Sequence, residues 1–196
     1  MFRLTRPTSF ELATFLDKQR GLEPSYPEIG MTHPDTGSPP GGYTSDTFQL
    51  YLGQGDAVFQ QAREQLRAWR MYQQSWLSLY PRKPDVCSGT VACVTAQHLG
   101  FYSVSAIRVV YVVDEPEQLA FAVGTLPGHV EKGEERFRVY RLGGGSVWFD
   151  ILAYSKPNHP LVRLGYPVAR QVQKRFARGA EAALLKLFWS NFSGGT

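Results

Sequence analysis

The sequence lacks several features that would assign it to a special class of protein. No apolar run reaches the roughly 20 residues that a membrane-spanning helix needs. The N-terminus is not followed by the apolar segment of a secretory signal, and no internal repeat or low-complexity tract is present. These absences argue against membrane-spanning, secreted and repeat proteins, and we predict a cytoplasmic protein.

Cysteine is scarce, because the chain contains only Cys87 and Cys93. If both lie on one extended strand, they are roughly 20 Å apart, which is too far for a disulfide. They also lack the spacing and the partners of a metal site. We predict that Cys93 is a core residue, that Cys87 has no special role, and that the protein holds no metal or cofactor.

Charge of one sign is not in large excess either, because the net charge is only +4. A charge this small says little about partners without a map of where the charges lie, and we expect neither DNA nor RNA as a partner. The length of 196 residues suits one domain. Aromatic residues, at 13%, are frequent, which predicts a core or a cavity rich in rings.

The first 44 residues predict an arm that precedes the main domain. Thr8 and Glu11 can form the capping box of a short helix over 8–19. Nine proline or glycine residues between 24 and 42 then exclude regular structure. We predict a surface loop over 21–42, either ordered or partly mobile, with a functional lid as the alternative.

The spacing of apolar residues over 45–156 predicts one helix and seven strands. The first strand has a period of two, and Asp56 can cap a helix that runs to about Tyr72. Short turns such as Gly143–Gly145 favour an antiparallel meander. The predicted strands cover 46–52, 75–80, 89–97, 102–113, 118–125, 134–142 and 146–156.

A long C-terminal helix is predicted over 158–189, with Asn158 as its cap. Its apolar positions recur with the helical period, and we expect Val168, Val172 and Phe176 to face the sheet. The opposite face is basic and is formed by Arg163, Arg170, Lys174, Arg175 and Arg178.

Several stretches resemble a known family. They are Tyr51–Gly55, Trp69–Met71, Arg108–Val112, Gly124–Phe137, Val147–Ile151 and Leu164–Pro167. Over roughly 43–188 the chain resembles an uncharacterised family of the UPF kind within the START-like, or SRPBCC, superfamily, which includes pollen-allergen-like proteins, polyketide cyclases and lipid-transfer domains. The block Gly124–Phe137 is the specific part of the resemblance.

The resemblance implies an α+β helix-grip fold, in which a curved antiparallel sheet of about seven strands wraps a long C-terminal helix. It also implies a hydrophobic ligand pocket between sheet and helix, but no catalytic residue. We therefore predict a single START-like domain over 1–196, with an arm over 1–44 and a helix-grip core over 45–189.

The block Gly124–Phe137 carries a tight group of titratable side chains, namely His129, Glu131, Glu134 and Glu135. Three interpretations stay open: a solvated hairpin with ion pairs to nearby arginines, a polar binding site, and acid–base catalysis. A divalent metal is a weaker alternative, because His-x-Glu alone is a poor signal.

The lining of the pocket is predicted from rings and charges on strands and helix. If Arg108 and Asp150 both point inward, they can pair, or Arg108 can bind a ligand carboxylate. The alternative is that the rings fill a solid core. The predicted ligand-binding residues are Arg108, Tyr111, Phe121, His129, Glu131, Glu134, Trp148, Asp150, Tyr166 and Phe176.

The function we favour from the sequence is non-catalytic binding of a small hydrophobic or amphipathic ligand. The first alternative is a cyclase- or hydrolase-like enzyme that uses His129 with Glu131 or Glu134. The second is an interaction protein that uses the basic face of the C-terminal helix.

Overall fold

An antiparallel β-sheet dominates the computed structural model, which describes residues 1–37, 41–98, 100–129, 131–158, 175–176 and 178–183. The strands are β1 (Phe2–Arg3), β2 (Thr44–Gln54), β3 (Leu77–Tyr80), β4 (Val91–Gln97), β5 (Tyr102–Glu115), β6 (Gln118–Thr125), β7 (Glu131–Arg141) and β8 (Ser146–Pro157). The helices are α1 (Ser9–Gln19) and α2 (Asp56–Arg67), and a 3-10 turn covers Arg70–Tyr72.

The sheet is a curved, open meander, as the sequence predicted. Seven strands follow the order β2-β8-β7-β6-β5-β4-β3, and β1 adds to the free side of β5. Each neighbouring pair is antiparallel. Two differences from the prediction are that β7 begins at Glu131 rather than at 134, and that β1 is too short to give a periodic signal.

The helix α1 covers part of the convex face of the sheet. Thr8 and Glu11 form the predicted capping box at its N-terminus. Its apolar side packs on β4 and β5 in a separate small core, whose buried members are Leu12, Leu16, Cys93 and Val104. Cys93 is therefore a core residue, as predicted, whereas Cys87 is exposed; both thiols are free.

The helix α2 is shorter than predicted. It begins at Asp56, so the N-cap is Gly55 and no side chain caps the first turn. It ends at Arg67, and Trp69 takes a left-handed conformation with φ of 54° before the 3-10 turn. The ring of Trp69 is fully buried and its Nε1 donates to the carbonyl of Pro84 at 2.9 Å. The chain leaves the helix there because this geometry places the largest side chain in the core.

The main core fills the concave face beneath α2 and the 3-10 turn. Its rings contact one another directly, with centroid distances of 4.6 Å for Trp69–Phe121 and 5.7 Å for Tyr72–Phe137. Other large buried members are Phe59, Leu66, Met71, Val139, Phe149 and Ile151. At this end of the sheet the aromatic residues form a solid interior.

The C-terminal helix is described only in part, because the helical residues are 175–176 and 178–183. Phe176 packs on the core as predicted, with its ring 5.2 Å from Tyr72 and 6.2 Å from Phe137. The rest of the predicted helix, with Val168, Val172, Tyr166 and the basic residues Arg163, Arg170 and Lys174, lies outside the described residues.

No helix within the described parts of the chain has the length and hydrophobicity that crossing a membrane requires.

Residues 25–36, which we call the strap, lie across the convex face. The amide of Ser25 donates to the carbonyl of Thr125 at 2.8 Å, and Tyr26, Met31 and Thr32 are buried. The predicted loop is therefore ordered over this part. The strap crosses the sheet at Gly124, where a Cβ atom would lie only 2.3 Å from the hydroxyl of Tyr26.

Gly124→Ala should lower the free energy of unfolding by about 1–3 kcal/mol, because the added methyl group displaces a buried ring. Urea denaturation of the variant measures the change. The matched control is Gly143→Ala, where an added Cβ meets no atom within 4 Å. The cost of Gly124→Ala should fall in a Tyr26→Phe background, and equal costs for the two glycine substitutions would contradict the strap position.

Candidate functional site

Strand β7 divides the predicted cluster between the two faces of the sheet. Side chains alternate along a strand, so Glu131 and Glu135 lie on the concave face with Phe137, and Glu134 lies on the convex face. The register confirms the division, because Phe137 is opposite core residue Phe121, whereas Glu134 is opposite Gly124 beneath the strap. The structure therefore does not bring Glu134 together with Glu131.

The carboxylate of Glu134 holds the strap against the sheet through hydrogen bonds. It is buried, with 2% of its surface exposed. It accepts hydrogen bonds from Tyr26 Oη at 2.7 Å, from the amide of Gly30 at 2.7 Å, and from both the amide (2.9 Å) and the hydroxyl of Thr32. Burial and the adjacent carboxylate raise the pKa of Tyr26, so its hydroxyl keeps the proton that it donates. With four donors, both carboxylate oxygens are satisfied inside the protein.

Asp150 belongs to the same convex network. Arg136 donates to Asp150 Oδ1 at 3.2 Å and to the carbonyl of Thr32 at 3.1 Å, and Arg138 Nε donates to Asp150 Oδ2 at 2.9 Å. The predicted pair of Arg108 with Asp150 is not formed. Arg108 instead donates through Nη2 to the carbonyl of Arg20 at 2.7 Å.

Five of the ten predicted ligand-binding residues thus lie on the convex face. They are Arg108, Tyr111, Glu134, Trp148 and Asp150. Tyr111 contacts the hydroxyl of Thr32 at 2.9 Å, and Trp148 packs on Tyr51 with centroids 5.2 Å apart. Phe121, Glu131 and Phe176 lie on the concave side, His129 lies in the turn before β7, and Tyr166 lies outside the described residues.

His129 is neutral at physiological pH and is held by its own turn. Its Nδ1 lies 3.0 Å from the amide and 2.9 Å from the carbonyl of Glu131, and Asn158 Nδ2 donates to the carbonyl of His129 at 2.8 Å. Burial lowers the pKa of His129 to about 4. The side chain therefore stabilises the turn between β6 and β7 in its uncharged form.

Glu135 is the acidic group most strongly perturbed on the concave face. Burial raises its pKa to about 8, and the negative charges of Glu131 and Asp46 add to the shift. Burial and the charge of Glu135 also raise the pKa of Tyr72. Glu135 is among the titratable residues of the block Gly124–Phe137 but not among the predicted ligand-binding residues, and Tyr72 was predicted only as the end of a helix. The signal that could have selected Glu135 is its alternation with Phe137 and Val139.

A metal site was not predicted, and the described residues contain no group of three or more His, Cys, Asp or Glu side chains arranged to hold an ion. Glu134 has its oxygens occupied by the strap, and His129 Nδ1 is occupied by its own turn. The chemistry that the described part of the concave face offers is therefore that of carboxyl and phenol groups in apolar surroundings.

A sequence model described as "Domain of unknown function (DUF1990)" matches residues 25–183, which include both the strap and the sheet. The chain belongs to this family. A UPF0548 protein of Deinococcus radiodurans is 35% identical over 190 residues, covering 91% of this chain and 94% of the relative. The family match begins at the first residue of the strap, which agrees with the strap being part of the domain.

Solved structures show the fold of this DUF1990 member. A hypothetical protein, jhp0584, from Helicobacter pylori aligns with a TM-score of 0.55 at 12% identity, covering 84% of this chain and 95% of that one. The di-domain ARO/CYC StfQ from the steffimycin biosynthetic pathway aligns with a TM-score of 0.50 at 12% identity, covering 78% and 52%. The chain shares the fold of these two solved structures, one of which is an ARO/CYC protein, and this agrees with the resemblance seen in the sequence.

Glu134→Gln should lower the free energy of unfolding by about 2–4 kcal/mol, because an amide group offers donors where the strap also presents donors. Denaturant melts measure the loss. Glu23→Gln, an exposed change in the same arm, is the control and should change stability by less than about 0.5 kcal/mol. Unchanged stability together with weakened ligand affinity would instead give Glu134 a binding role.

Glu135→Gln should change how stability depends on pH. The carboxyl of Glu135 ionises near pH 8 in the folded protein and near its ordinary value of 4.5 when unfolded. Between these values the folded state binds more protons, so this group's contribution to stability falls as pH rises. The variant, relative to the native protein, should gain about 4–5 kcal/mol between pH 4.5 and pH 8, because each pH unit over which only the folded state is protonated corresponds to about 1.4 kcal/mol.

Urea denaturation across this pH range measures the difference between the two proteins. Glu64→Gln on the exposed side of α2 is the matched control, and its difference from the native protein should stay flat. A flat difference for Glu135→Gln as well would show that its carboxyl ionises as it does in water.

Proposed function

We propose that the concave side of the sheet binds a small hydrophobic or amphipathic ligand between the sheet and the C-terminal helix. The observation that carries the proposal is the environment of Glu135. Its side chain is deep enough for burial to raise its pKa to about 8, yet it is not closed off, because part of its surface stays accessible. A carboxyl group with both properties lines a space rather than a packed interior.

The side chains around Glu135 support a space at this end of the sheet. Its direct cross-strand neighbours on the concave face are Val123 on β6 and Ala153 on β8. In the next row toward the turn the side chain is the small one of Ser155, opposite Gly133, where the backbone of Tyr154 approaches closely. Small side chains leave volume above the sheet that rings would otherwise occupy.

Away from the turn, the cross-strand pairs on the concave face have large side chains, and these close the site. Phe137 is opposite Ile151, and Val139 is opposite Phe149, all in the solid core under α2. The concave face thus changes from ring-filled to small and polar along its length. Small-molecule sites combine an apolar wall with a few polar groups that orient the ligand, and Glu135 is suited to that role.

An acid–base enzyme is the second candidate, and one observation favours it. A carboxyl group with a pKa near 8 keeps its proton at neutral pH and can act as a general acid. In this acid–base enzyme the catalytic carboxyl group is that of Glu135. The predicted Glu134 is not suited to the role, because its oxygens accept hydrogen bonds from the strap. The predicted interaction role of the basic helix stays a prediction, since of its five basic residues only Arg175 and Arg178 are described.

Titration with a fluorescent fatty-acid analogue should saturate near one site per chain. Ala153→Phe should weaken this binding at least about tenfold with little loss of stability, because the new ring enters the space that the ligand uses. Fluorescence titration and denaturant melts measure the two effects. Native mass spectrometry of the purified protein should show a co-purified lipid-like molecule.

The matched control is Ala62→Phe, at a position that is 1% exposed in the solid core. This change should destabilise the protein by about 1–3 kcal/mol through overpacking. If Ala153→Phe destabilises as much as Ala62→Phe, the concave face is filled and has no pocket. Absence of saturable binding across several lipid classes would also contradict the proposal.

A further inference from the structure

A cleft of about 410 Å³ opens on the convex side, away from the concave site. It lies between the C-terminal end of α1, the loop 81–90 that joins β3 to β4, and the first residue of β4. Its volume falls within the range of small-molecule sites, roughly 300–1,000 Å³. The proposed ligand-binding function does not use this cleft.

The loop that forms the cleft is held in place by contacts with the sheet and the core. The carbonyl of Pro84 accepts from the buried ring of Trp69 at 2.9 Å. The amide of Gly89 donates to the carbonyl of Val109 at 2.8 Å, and the amide of Val109 donates to the carbonyl of Thr90 at 2.8 Å. The cleft is therefore formed in advance of any ligand.

Positive charge predominates around the cleft. Arg20 and Lys83 line it, and Asp85 is the one acidic group among the lining residues. Lys83 makes no ion pair or hydrogen bond with any described residue. Within the described part of the chain, the side chain of Arg20 makes only a long contact of 3.6 Å with Asp17, and both of these side chains are about two-thirds exposed. Exposed pairs of this kind are worth little, so both cations are available to a ligand.

Arg108 adds a third cation at the edge of the cleft. It is directly opposite Val91, a lining residue, in the pairing of β4 with β5. Its Nη2 donates to the carbonyl of Arg20 at 2.7 Å, which covers the negative end of α1 with a positive charge. Its buried Nε has no hydrogen-bond partner among the described residues.

We propose that this cleft binds the oxyanion of a small molecule, a phosphate or carboxylate group, through Lys83 and Arg20 with Arg108 behind them. Pro81, Pro84 and Val91 supply an apolar wall for the rest of that molecule. Guanidinium and ammonium groups are the side chains that bind such oxyanions in proteins.

The test is a titration with inorganic phosphate and, separately, with sodium acetate, at constant ionic strength. Amide NMR shifts of residues 83–91 report binding, and they should saturate with at least one of the two anions. Tighter phosphate binding assigns the cleft to a phosphate-bearing molecule, and tighter acetate binding assigns it to a carboxylate-bearing one. Absence of saturation with either anion overturns the proposal.

Three exposed positions of the same loop provide matched variants. Lys83→Gln should weaken anion binding about threefold to fivefold, because an ion pair made by one exposed lysine contributes little. Asp85→Asn should strengthen it, because a repelling carboxylate is removed. Arg82→Gln removes the neighbouring charge, which does not line the cleft, and should leave the affinity unchanged.

Equal losses in Lys83→Gln and Arg82→Gln would overturn the proposal, because they would indicate diffuse attraction by the loop rather than a site. Thermal melts of all three variants check that the fold is kept. Lys83→Gln should also leave the fatty-acid titration unchanged, which separates a failure at the cleft from a failure of the concave site.

Discussion

The carboxylate of Glu134 is the group on which the convex side of the molecule depends. A buried carboxylate is costly unless donors surround it, and here the strap supplies four hydrogen bonds, from Tyr26, Gly30 and Thr32. The strap itself has no helix or strand to stabilise it. Glu134 provides most of the hydrogen bonds between the strap and the side chains of the sheet, Arg136 and Tyr111 add contacts to Thr32, and the close crossing of Tyr26 requires the glycine at 124.

Coverage of the convex face by the strap and α1 leaves the concave face to the proposed hydrophobic ligand. Arg136 and Arg138 are used to pair Asp150 within the convex network. The concave face keeps a region of small side chains with Glu135 at its margin. The two carboxylates Glu134 and Glu135 are adjacent in the chain, but one fastens a loop and the other faces the proposed pocket.

Membership of the DUF1990 family names no ligand, and the fold shared with the solved structures names none either. Solved structures that are only 12% identical share the course of the chain and not its side chains. The surface that a ligand would contact is therefore particular to this chain. It consists of a concave wall that changes from rings to small residues, and of a basic cleft that is separate from that wall.

The sequence by itself determined the elements whose signals are local. The capping box of Thr8 with Glu11, the succession of β2 to β8 along the chain and the core position of Cys93 follow from periodicity and capping over a few residues. Only the tertiary structure decided which face each strand presents to the C-terminal helix. Both faces of this sheet are covered, so both carry apolar residues and alternation does not distinguish them. Glu134 could be assigned to the strap only once its donors, about a hundred residues away, were in place.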